Sequence, residues 1–374
     1  MKVVIAIDSF KGSLTSLEAG DAIRRAILRR HPDADIVIRP IADGGEGTVE
    51  ALSAGLGGET VEACVSGPLC EEVTAKYCII DGTTAVIEMA AAAGLTLVKE
   101  ELRDPMNTTT LGVGELIRDA IRRGCRSFII GIGGSATNDG GVGMLSALGF
   151  EFLDKFGNAI PEGARGLELL NSISVKNAMP ELKECSFHIA CDVTNPLCGD
   201  DGCSAVYGPQ KGAAPASIEL MDSWLRSYAE LARGVIPNAD PNYSGAGAAG
   251  GLGFAFMTFL GAKLESGIKI VLEKTSLAEY IKEADVVITG EGRLDSQSVM
   301  GKAPVGVAAL AKKHGKKVIA FAGCVTEDAE ECNSHGIDAF FPIVRGITTL
   351  DEALNKENAY KNLEAAAYQV FGLI

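Results

Sequence analysis

The chain begins and ends with the same alternation of apolar strands and amphipathic helices. Near the start, the β-branched runs KVVIAI (residues 2–7) and DIVIRPI (residues 35–41) flank Thr15 to Arg30, where apolar residues recur at helical spacing. The late part of the chain has predicted strands over residues 285–289, 317–322 and 339–344, and predicted helices over 305–314 and within 349–371. Strands joined by a helix pair in parallel through a right-handed crossover. Both ends therefore predict a doubly wound arrangement.

The middle of the chain has a different pattern. Between Glu59 and Ala93, short alternating runs joined by turn residues such as Asp81-Gly82 predict an antiparallel meander. With 374 residues, the chain exceeds the size at which one hydrophobic core stops growing. We therefore predict an α/β protein with two domains and a ligand-binding cleft between them. Residues 1–52 and 281–374 would form a Rossmann-like domain, and residues 53–280 an inserted mixed α/β domain.

Composition excludes several classes of protein. The net charge of −15 argues against a nucleic-acid partner, because phosphate backbones are bound by clustered Lys and Arg. The ten cysteines include no CxxC pair and indicate reduced thiols. The apolar start is too short for a signal peptide, and no run approaches the roughly 20 apolar residues of a membrane span. We expect a cytoplasmic protein without a membrane partner.

The stretch IGIGGSATNDGGVGM (residues 130–144) combines six glycines with a short polar segment. Gly131, Gly133 and Ala136 formally fit the dinucleotide fingerprint G-x-G-x-x-A, but no strand ending in an acidic residue follows about 20 residues later. Backbone N–H groups at a helix start, together with hydroxyl groups, instead indicate an oxyanion site. Its candidate residues are Ser135, Thr137, Asn138 and Asp139. The alternative is a glycine-rich turn that packs closely against a neighbouring element.

A second fingerprint match, residues 245–250, follows loop residues and no strand. Its context does not support a dinucleotide site. A glycine-permitted helix entry or close helix packing is the better interpretation. No Walker A sequence occurs, because Gly301-Lys302 and Gly315-Lys316 lack the Ser or Thr that must follow the lysine.

Three polar, glycine-rich segments follow predicted strands, over residues 8–13, 43–48 and 290–296. Ligands of open α/β sheets bind at the carboxyl ends of strands. These segments supply the cations Lys11 and Arg293, which Lys302 supplements, and several carboxylates for Mg²⁺ or a proton. Phosphoryl transfer depends mainly on positioning and charge neutralisation, so the inventory suits it. Each segment alone could be a capped helix start, as with Ser13 or Thr15 followed by Glu18.

Asp192 ends the predicted central strand SFHIACD and precedes Asn195 and the segment GPQKGA, which contains Lys211. A carboxylate at a strand end could accept a proton from a substrate hydroxyl group, and the alternative is an aspartate that caps a turn. The four histidines lack metal-ligand spacing.

Seven motifs in order carry a resemblance over essentially the whole chain: DSFKGSLTS, IADGGEGT, GIGGSATNDGGVG, CDVTNPLCG, GPQKGA, GAAGGLG and GEGRLDSQS with GKAP. Together they closely resemble the bacterial type I glycerate kinase family. The resemblance implies ATP-dependent phosphorylation of D-glycerate and a two-domain fold with the site in the interdomain cleft. Members of the family mostly form 2-phosphoglycerate, whereas other glycerate kinase classes form 3-phosphoglycerate.

Residue roles under this resemblance are our own predictions. Lys11 and Arg293 would neutralise the transferred phosphoryl group and the substrate carboxylate. Asp192 is the first candidate for the base that deprotonates glycerate, and Asp8 is the second. Candidate Mg²⁺ ligands are Asp43, Glu291 and Asp295. Candidate ligands of ATP or glycerate are Ser9, Ser135, Thr137, Asn138, Asp139, Asn195, Lys211, Ser296 and Lys302.

Two other classes share parts of this pattern. A nicotinamide-dependent oxidoreductase would explain the two glycine fingerprints. A non-catalytic sensor of a small anion would share the glycine loops but would not need the carboxylates. The oligomeric state is open, with a homo-oligomer as one alternative.

Overall fold

A computed structural model describes residues 1–42 and 47–374 of the chain, with Met300 described by its backbone. It divides into two compact units. The first unit comprises Met1–Asp43, Glu50–Gly57 and Ser266–Ile374, and the second comprises Gly44–Val49 and Gly58–Glu265. Both combine helices with strands, so the predicted two-domain α/β fold class is confirmed.

The strands run along the chain as follows: β1 Lys2–Ile5, β2 Asp35–Ile38, β3 Glu59–Ser66, β4 Glu72–Ile80, β5 Thr84–Glu88, β6 Ser127–Gly131, β7 Glu151–Leu153, β8 Ser172–Ser174, β9 Ser186–Ala190, β10 Lys263–Glu265, β11 Val286–Leu294, β12 Lys317–Val325 and β13 Ala339–Pro342. The α-helices are α1 Ser16–Arg30, α2 Thr48–Leu56, α3 Ala90–Ala93, α4 Leu111–Arg122, α5 Val142–Ala147, α6 Cys203–Tyr207, α7 Pro215–Val235, α8 Ala248–Leu260, α9 Gly267–Lys274, α10 Leu277–Glu283, α11 Ala303–Lys313, α12 Glu331–Ser334, α13 Leu350–Leu354 and α14 Lys356–Val370. Short 3₁₀ turns, such as Ser296–Met300, connect several of these elements.

A parallel sheet organises the first unit. Over its described residues the strand order is β13-β12-β11-β1-β2, and each neighbouring pair is parallel. The residues Val3, Ile5 and Ile7 of β1 and its extension pack with the buried faces of α1 and α14. All carboxyl ends in such a sheet lie at one edge. The segments after β1 and β11 are therefore neighbours, as the sequence predicts.

Helices α9 and α10 belong to the first unit, because they pack on each other and on α11, and α10 also packs on β1. The sequence-based boundaries instead assign residues 266–280 to the inserted domain. The difference has a physical origin, since short helices give no signal of the sheet on which they pack.

The second unit contains a mixed sheet with the order β10-β9-β6-β5-β4-β3 in its described residues. The antiparallel meander β3-β4-β5 matches the predicted pattern, and its turn places Asp81 and Gly82 at positive φ. From β5 onward the neighbours β6, β9 and β10 are parallel. The loops after β6 and β9 therefore leave the sheet at the same edge.

The start of helix α1 is determined by its local sequence. Thr15 caps its first turn, with the Thr15 hydroxyl accepting from the Glu18 N–H and the Glu18 carboxylate accepting from the Thr15 N–H. This capping box fixes the helix start one residue beyond Thr15. The predicted cap is confirmed, and it leaves the preceding residues 8–14 free to form a separate turn.

Strand β11 is longer than predicted. The polar run after Thr289 was expected to be a loop, but β11 continues to Leu294 and pairs with β12 through Arg293–Cys324 and Leu294–Val325. Gly290 permits this close pairing, because a Cβ atom there would lie 2.0 Å from the Phe321 carbonyl oxygen. Glu291 and Arg293 are thus strand residues with fixed backbones.

In the residues that the structure describes, no helix is long and apolar enough to cross a membrane.

Candidate active site

A cavity of about 490 Å³ lies in the first unit at the carboxyl-end edge of the parallel sheet. Its described lining comes from the segments that follow β1 and β13, from the ends of β11 and β12, from the turn after β11, and from α13 and α14. A cavity of this size suits a small organic ligand. It combines a polar end, over β1 and β11, with an apolar end, beside β13, α13 and α14.

Charged side chains form the polar end. Among the described lining residues, Lys11, Arg293 and Lys302 are cationic. The Lys302 ammonium lies 3.9 Å from a Glu291 carboxylate oxygen. The same ammonium lies 4.0 Å from an Asp295 carboxylate oxygen, and the Arg293 Nε lies 3.1 Å from the other Asp295 oxygen. The cations and carboxylates predicted from the sequence are thus brought together.

Burial separates these charged groups into two kinds. Asp8 is only 2% exposed and Glu291 is 8% exposed, whereas the Arg293 side chain is 62% exposed. The Ser298 hydroxyl donates to Glu291 at 2.7 Å and holds that carboxylate in place. The carboxylates are therefore fixed by the protein, while the Arg293 guanidinium reaches into solvent, where an anionic ligand can meet it.

The turn after β1 holds Asp8, Ser9 and Lys11 at the cavity. The Asp8 N–H donates to the Gly290 carbonyl at 2.9 Å, and the Ser9 N–H donates to the Asp8 carboxylate at 2.6 Å. Backbone hydrogen bonds between Phe10 and Leu14 close the turn around Lys11. Its backbone geometry therefore does not depend on the side chains that line the cavity.

Two hydroxyl groups in this turn point to a ligand. The Ser9 and Ser13 hydroxyl oxygens are buried, and within the described residues neither has a hydrogen-bond partner. An unsatisfied buried hydroxyl group is unfavourable unless a ligand or water completes it. Both residues line the cavity, so a bound anion could accept hydrogen bonds from their hydroxyl groups.

The apolar end was missed by sequence reasoning. It consists of the described lining residues Ile343, Val344, Leu350, Ala353, Leu354 and Ala359, beside which lies the amide side chain of Asn362. Two signals could have indicated it. Val344 is the last residue of a predicted strand of the same sheet, and Thr349 with Glu352 forms a capping box that starts the separate helix α13.

The predicted metal ligands have different outcomes. Asp43 lies outside the described residues. Glu291 and Asp295 line the cavity, but no group of three or more His, Cys, Asp or Glu side chains placed to hold a metal ion occurs in residues 1–42 and 47–374. The carboxylates of Glu291 and Asp295, beside the cationic side chains, still offer the oxygen donors that Mg²⁺ takes when it keeps several waters. The donor chemistry fits a cation that is held mainly through its phosphate ligand.

Ser296 lies just beyond the described cavity lining. Its N–H donates to the Asp328 carboxylate at 3.2 Å. Hydrogen bonds from Ser296 and Thr326 lower the pKa of the exposed Asp328 carboxylate to about 2. The predicted role of Ser296 as a ligand therefore competes with a structural role in the turn after β11.

In the second unit, the glycine-rich loop after β6 uses several of its polar groups in internal hydrogen bonds, although the buried Thr137 hydroxyl oxygen and Asn138 amide oxygen have no partner among the described residues. The Asp139 carboxylate accepts hydrogen bonds from the N–H and hydroxyl groups of Thr110 and from the N–H groups of Gly141 and Gly143. Asn138 donates to the Ser204 hydroxyl at 2.8 Å. Asp139 thus occupies the helix-start amides that the sequence suggested for an external oxyanion.

Burial raises the pKa of the Asp139 carboxyl, against the hydrogen bonds from Thr110 and the glycine amides, which lower it. Close packing explains Gly140, Gly141 and Gly143, where a Cβ atom would lie 2.9, 2.5 and 2.3 Å from a neighbouring side-chain atom. The Gly140 N–H donates to the Gly250 carbonyl, and a Cβ on Gly250 would lie 2.0 Å from the Thr137 carbonyl oxygen. The second fingerprint, residues 245–250, therefore packs against the first, as its sequence context suggested.

Lys211 is 2% exposed and extends toward the same loop. Its ammonium donates to the Ser135 hydroxyl and to the Thr137 carbonyl, each at 2.7 Å. Burial lowers the pKa of Lys211 to about 8. Lys211, which the sequence predicts to bind phosphate, holds the positions of Ser135 and Thr137 in this structure.

The depressed pKa of Lys211 predicts a specific pH dependence of stability. Between about pH 8 and the ordinary value of 10.5, the unfolded chain binds a proton that the folded protein lacks. Lys211 therefore makes a contribution to the free energy of unfolding that rises with pH across this window, by up to about 3 kcal/mol. Buried thiols with a raised pKa, such as that of Cys198, contribute in the opposite direction. Lys211→Met removes the lysine from both states, so the free energy of unfolding of the wild type minus that of the variant should rise with pH. Urea unfolding at pH 7.5 and pH 10 measures the difference between wild type and variant.

Trp224 is the only tryptophan of the chain and lies on α7 in the second unit, so its fluorescence follows the unit that contains Lys211. Lys176→Met, at an exposed position of the same unit, serves as the control and should keep the wild-type dependence. Parallel pH curves for wild type and Lys211→Met would rule out the depressed pKa.

Asp192 and Asn195 follow β9, at the sheet edge where the glycine-rich loop also leaves. Asp192 is exposed. Asn195 is committed to local contacts, since its amide donates to the Asp201 carbonyl at 2.8 Å and its oxygen accepts from the Tyr207 hydroxyl at 2.6 Å. Of this pair, Asp192 is the more exposed.

Comparisons with known proteins agree with this architecture. A family model described as the glycerate kinase family matches residues 3–374. A protein of Escherichia coli (strain K12) named glycerate 2-kinase is 51% identical over 371 residues, covering 99% of this chain and 97% of the relative. A protein of Haemophilus influenzae (strain ATCC 51907 / DSM 11121 / KW20 / Rd) named glycerate kinase is 48% identical over 371 residues, covering 99% of this chain and 98% of the relative.

A solved structure gives the same result for the fold. The crystal structure of a candidate glycerate kinase 2 from Salmonella typhimurium LT2 superposes with a TM-score of 0.91 at 48% identity, covering 100% of this chain and 98% of that one. The two-unit α/β fold with a charged cavity is therefore that of a kinase. The chain belongs to the glycerate kinase family. The predicted resemblance is confirmed, and the nicotinamide-dependent oxidoreductase was the wrong alternative.

Proposed function

We propose that the protein transfers the γ-phosphoryl group of ATP to a hydroxyl group of D-glycerate and forms 2-phosphoglycerate. The observation that carries this proposal is a cavity in which Lys11, Arg293 and Lys302 stand beside fixed carboxylates, in a member of the glycerate kinase family. The name glycerate 2-kinase of the Escherichia coli relative supports the 2-phosphoglycerate product. A kinase that forms 3-phosphoglycerate is the alternative.

We assign the neutralisation of phosphate charge to the cationic side chains of the cavity. The transferred phosphoryl group carries its negative charge on oxygens that must leave water in the transition state. Lys11 and Arg293 would bind those oxygens, and the protein's net charge of −15 makes such local positive charge necessary. Lys302, held near Glu291 and Asp295, would bind a further phosphate group of ATP. The Ser9 hydroxyl group, which has no partner among the described residues, would donate a hydrogen bond to the same phosphates.

Glu291 and Asp295 are the residues of the described cavity that would hold Mg²⁺, directly or through water, with Asp43 as a third candidate from the sequence. Bound Mg²⁺ would neutralise phosphate charge and orient the triphosphate. Ser298 and Lys302 fix the direction of the Glu291 carboxylate. The protein therefore prepares its own part of such a site by locking these side chains.

For the glycerate side, Asp192 is our first candidate for the base that takes the hydroxyl proton, and Asp8 is the second. Proton removal converts the hydroxyl oxygen into a better nucleophile as the phosphorus–oxygen bond forms. Ser135 and Thr137 stay candidates for holding phosphate or glycerate oxygens. The interdomain cleft, the cytoplasmic location and a homo-oligomeric state also stay predictions.

ADP release with a panel of hydroxy acids tests the proposed function. D-glycerate should be the preferred acceptor, with L-glycerate, lactate and glycolate as matched alternatives that alter one feature each. Phosphorus NMR of the product should show the phosphomonoester at the carbon-2 hydroxyl group. Absence of turnover with D-glycerate would overturn the proposal, and a carbon-3 ester would select the alternative product.

A further inference from the structure

We propose that the apolar end of the cavity, defined above by Ile343, Val344, Leu350, Ala353, Leu354 and Ala359, binds the base of the nucleotide, and that Asn362 selects adenine. This inference rests on the proposed function, because it gives the ATP of that reaction an orientation. The base would lie beside β13 and α13, and the phosphates would extend along the sheet edge toward β11 and β1.

The order of the strands in the sheet indicates how a ligand would be oriented in the cavity. β13 is separated from β11 by one strand and from β1 by two, and neighbouring strands lie about 4.8 Å apart. The apolar end is therefore about 10 to 15 Å from the cationic side chains over β11 and β1. A ligand that uses the whole cavity must be long, anionic at one end and apolar at the other.

Glycerate does not have this shape. Each of its three carbons carries oxygen, so it gains nothing from a wall of apolar side chains. A nucleoside triphosphate matches both ends, with charged phosphates for Lys11, Arg293 and Lys302 and a planar base for the apolar wall. The cavity volume of about 490 Å³ lies in the range of sites that enclose organic ligands of that class.

Helix α13 presents its apolar face to the cavity. Leu350, Ala353 and Leu354 stand at i, i+3 and i+4 and so share one face of the helix. Leu350 is 73% exposed and Leu354 is 39% exposed, although both line the cavity. Exposed leucines beside a cavity are surface that a bound ring would remove from water.

Asn362 provides selectivity at this end. It stands at i+3 from the lining residue Ala359 on α14 and lines the cavity itself. A carboxamide offers one acceptor and one donor side by side, which complements the N6 amino group and the N7 acceptor of adenine. Guanine presents two acceptors, O6 and N7, on the same edge, so the amide oxygen has no donor to accept from and the pairing is weaker.

Nucleotide binding, measured without glycerate, tests the assignment. The double variant Leu350→Ser, Leu354→Ser should weaken ADP binding in calorimetry by about tenfold or more, since it removes apolar contact with the base. Tripolyphosphate binding, which probes the polar end alone, should not change. Ile347→Ser, at a fully exposed position outside the described lining, is the matched control and should bind ADP as the wild type does.

Ala353→Trp fills the apolar end from α13 and should abolish ADP binding, which keeps the test decisive if the double variant does not fold. Asn362→Leu should reduce the ratio of kcat/KM for ATP over GTP by about tenfold, because the hydrogen bonds that discriminate the bases are lost. Asn362→Gln keeps the amide and should retain part of the preference.

Unchanged ADP binding in both the double variant and Ala353→Trp would overturn the base assignment even if glycerate is phosphorylated. An unchanged ATP-to-GTP ratio in Asn362→Leu would overturn the selective role of Asn362. Conversely, wild-type protein that binds ADP at this end but does not phosphorylate glycerate would leave the base assignment intact and remove the proposed function.

Discussion

Lys11→Ala lowers kcat for glycerate phosphorylation by about 100- to 1000-fold, the usual effect of removing one preorganised donor that stabilises transition-state charge. Lys11 lies in the turn after β1, lines the cavity and is exposed, so its ammonium can reach the migrating phosphoryl group. Steady-state kinetics with saturating ATP and glycerate measure the change. The KM values should change less than kcat, because the charge that Lys11 would neutralise under the proposed function is greatest in the transition state.

The fold should tolerate this substitution. Backbone hydrogen bonds between Phe10 and Leu14 close the turn, and the following helix is capped independently by Thr15. Lys313→Ala, at an exposed position on α11 outside the described lining, is the matched control. Lys11→Arg should recover part of the activity, since it keeps the charge with a different shape. Full activity in Lys11→Ala would make Lys11 a surface residue of a helix-start turn.

Much of the first unit could be predicted from the sequence, because its strands are short apolar runs separated by helices of clear periodicity. β1 with α1, and β12 with β13, required no knowledge of distant contacts. The rule that ligands bind at the carboxyl ends of parallel strands then brought Lys11 and Arg293 to one place. Sequence reasoning succeeded here because local patterns and the sheet topology lead to the same answer.

Other parts of the site depend on contacts that no local pattern contains. The run from Gly290 to Leu294 is polar and glycine-rich, and it becomes strand only through its pairing with β12. Leu350 and Leu354 look like core residues in the sequence, and their place in the cavity lining depends on the packing of α13.

The glycine-rich loop shows the same limit in another form. Its sequence suggests amides that await an anion, but Asp139 in the same loop already accepts two of them. Lys211 lies far along the chain, and only the folded structure shows that it supports Ser135 and Thr137. A polar residue in a glycine loop can either bind a ligand or accept the backbone hydrogen bonds that a ligand would otherwise accept. Spacing in the sequence does not distinguish these two roles.

Asp192→Asn should lower kcat by at least about 100-fold, within the range of roughly 10² to 10⁴ that general base catalysis contributes. The asparagine has almost the same size and cannot take up the hydroxyl proton. Asp192 is exposed at the end of β9, so the substitution disturbs no buried packing. The pH profile of kcat/KM gives a second readout, since loss of the base should also remove the acidic limb that reports its protonation.

Asp8→Asn provides the comparison between the two candidate bases. If Asp192 is the base, Asp8→Asn should keep the acidic limb, even where loss of the carboxylate charge lowers kcat, because the asparagine oxygen can still accept the hydrogen bond from the Ser9 N–H. Asp200→Asn, an exposed aspartate a few residues from Asp192, controls for a general change of charge. Near wild-type kcat in Asp192→Asn, together with loss of the acidic limb in Asp8→Asn, would show that the buried Asp8 carboxylate is the base. The proton acceptor and the proposed phosphate-binding cations would then lie together at the sheet edge of the first unit.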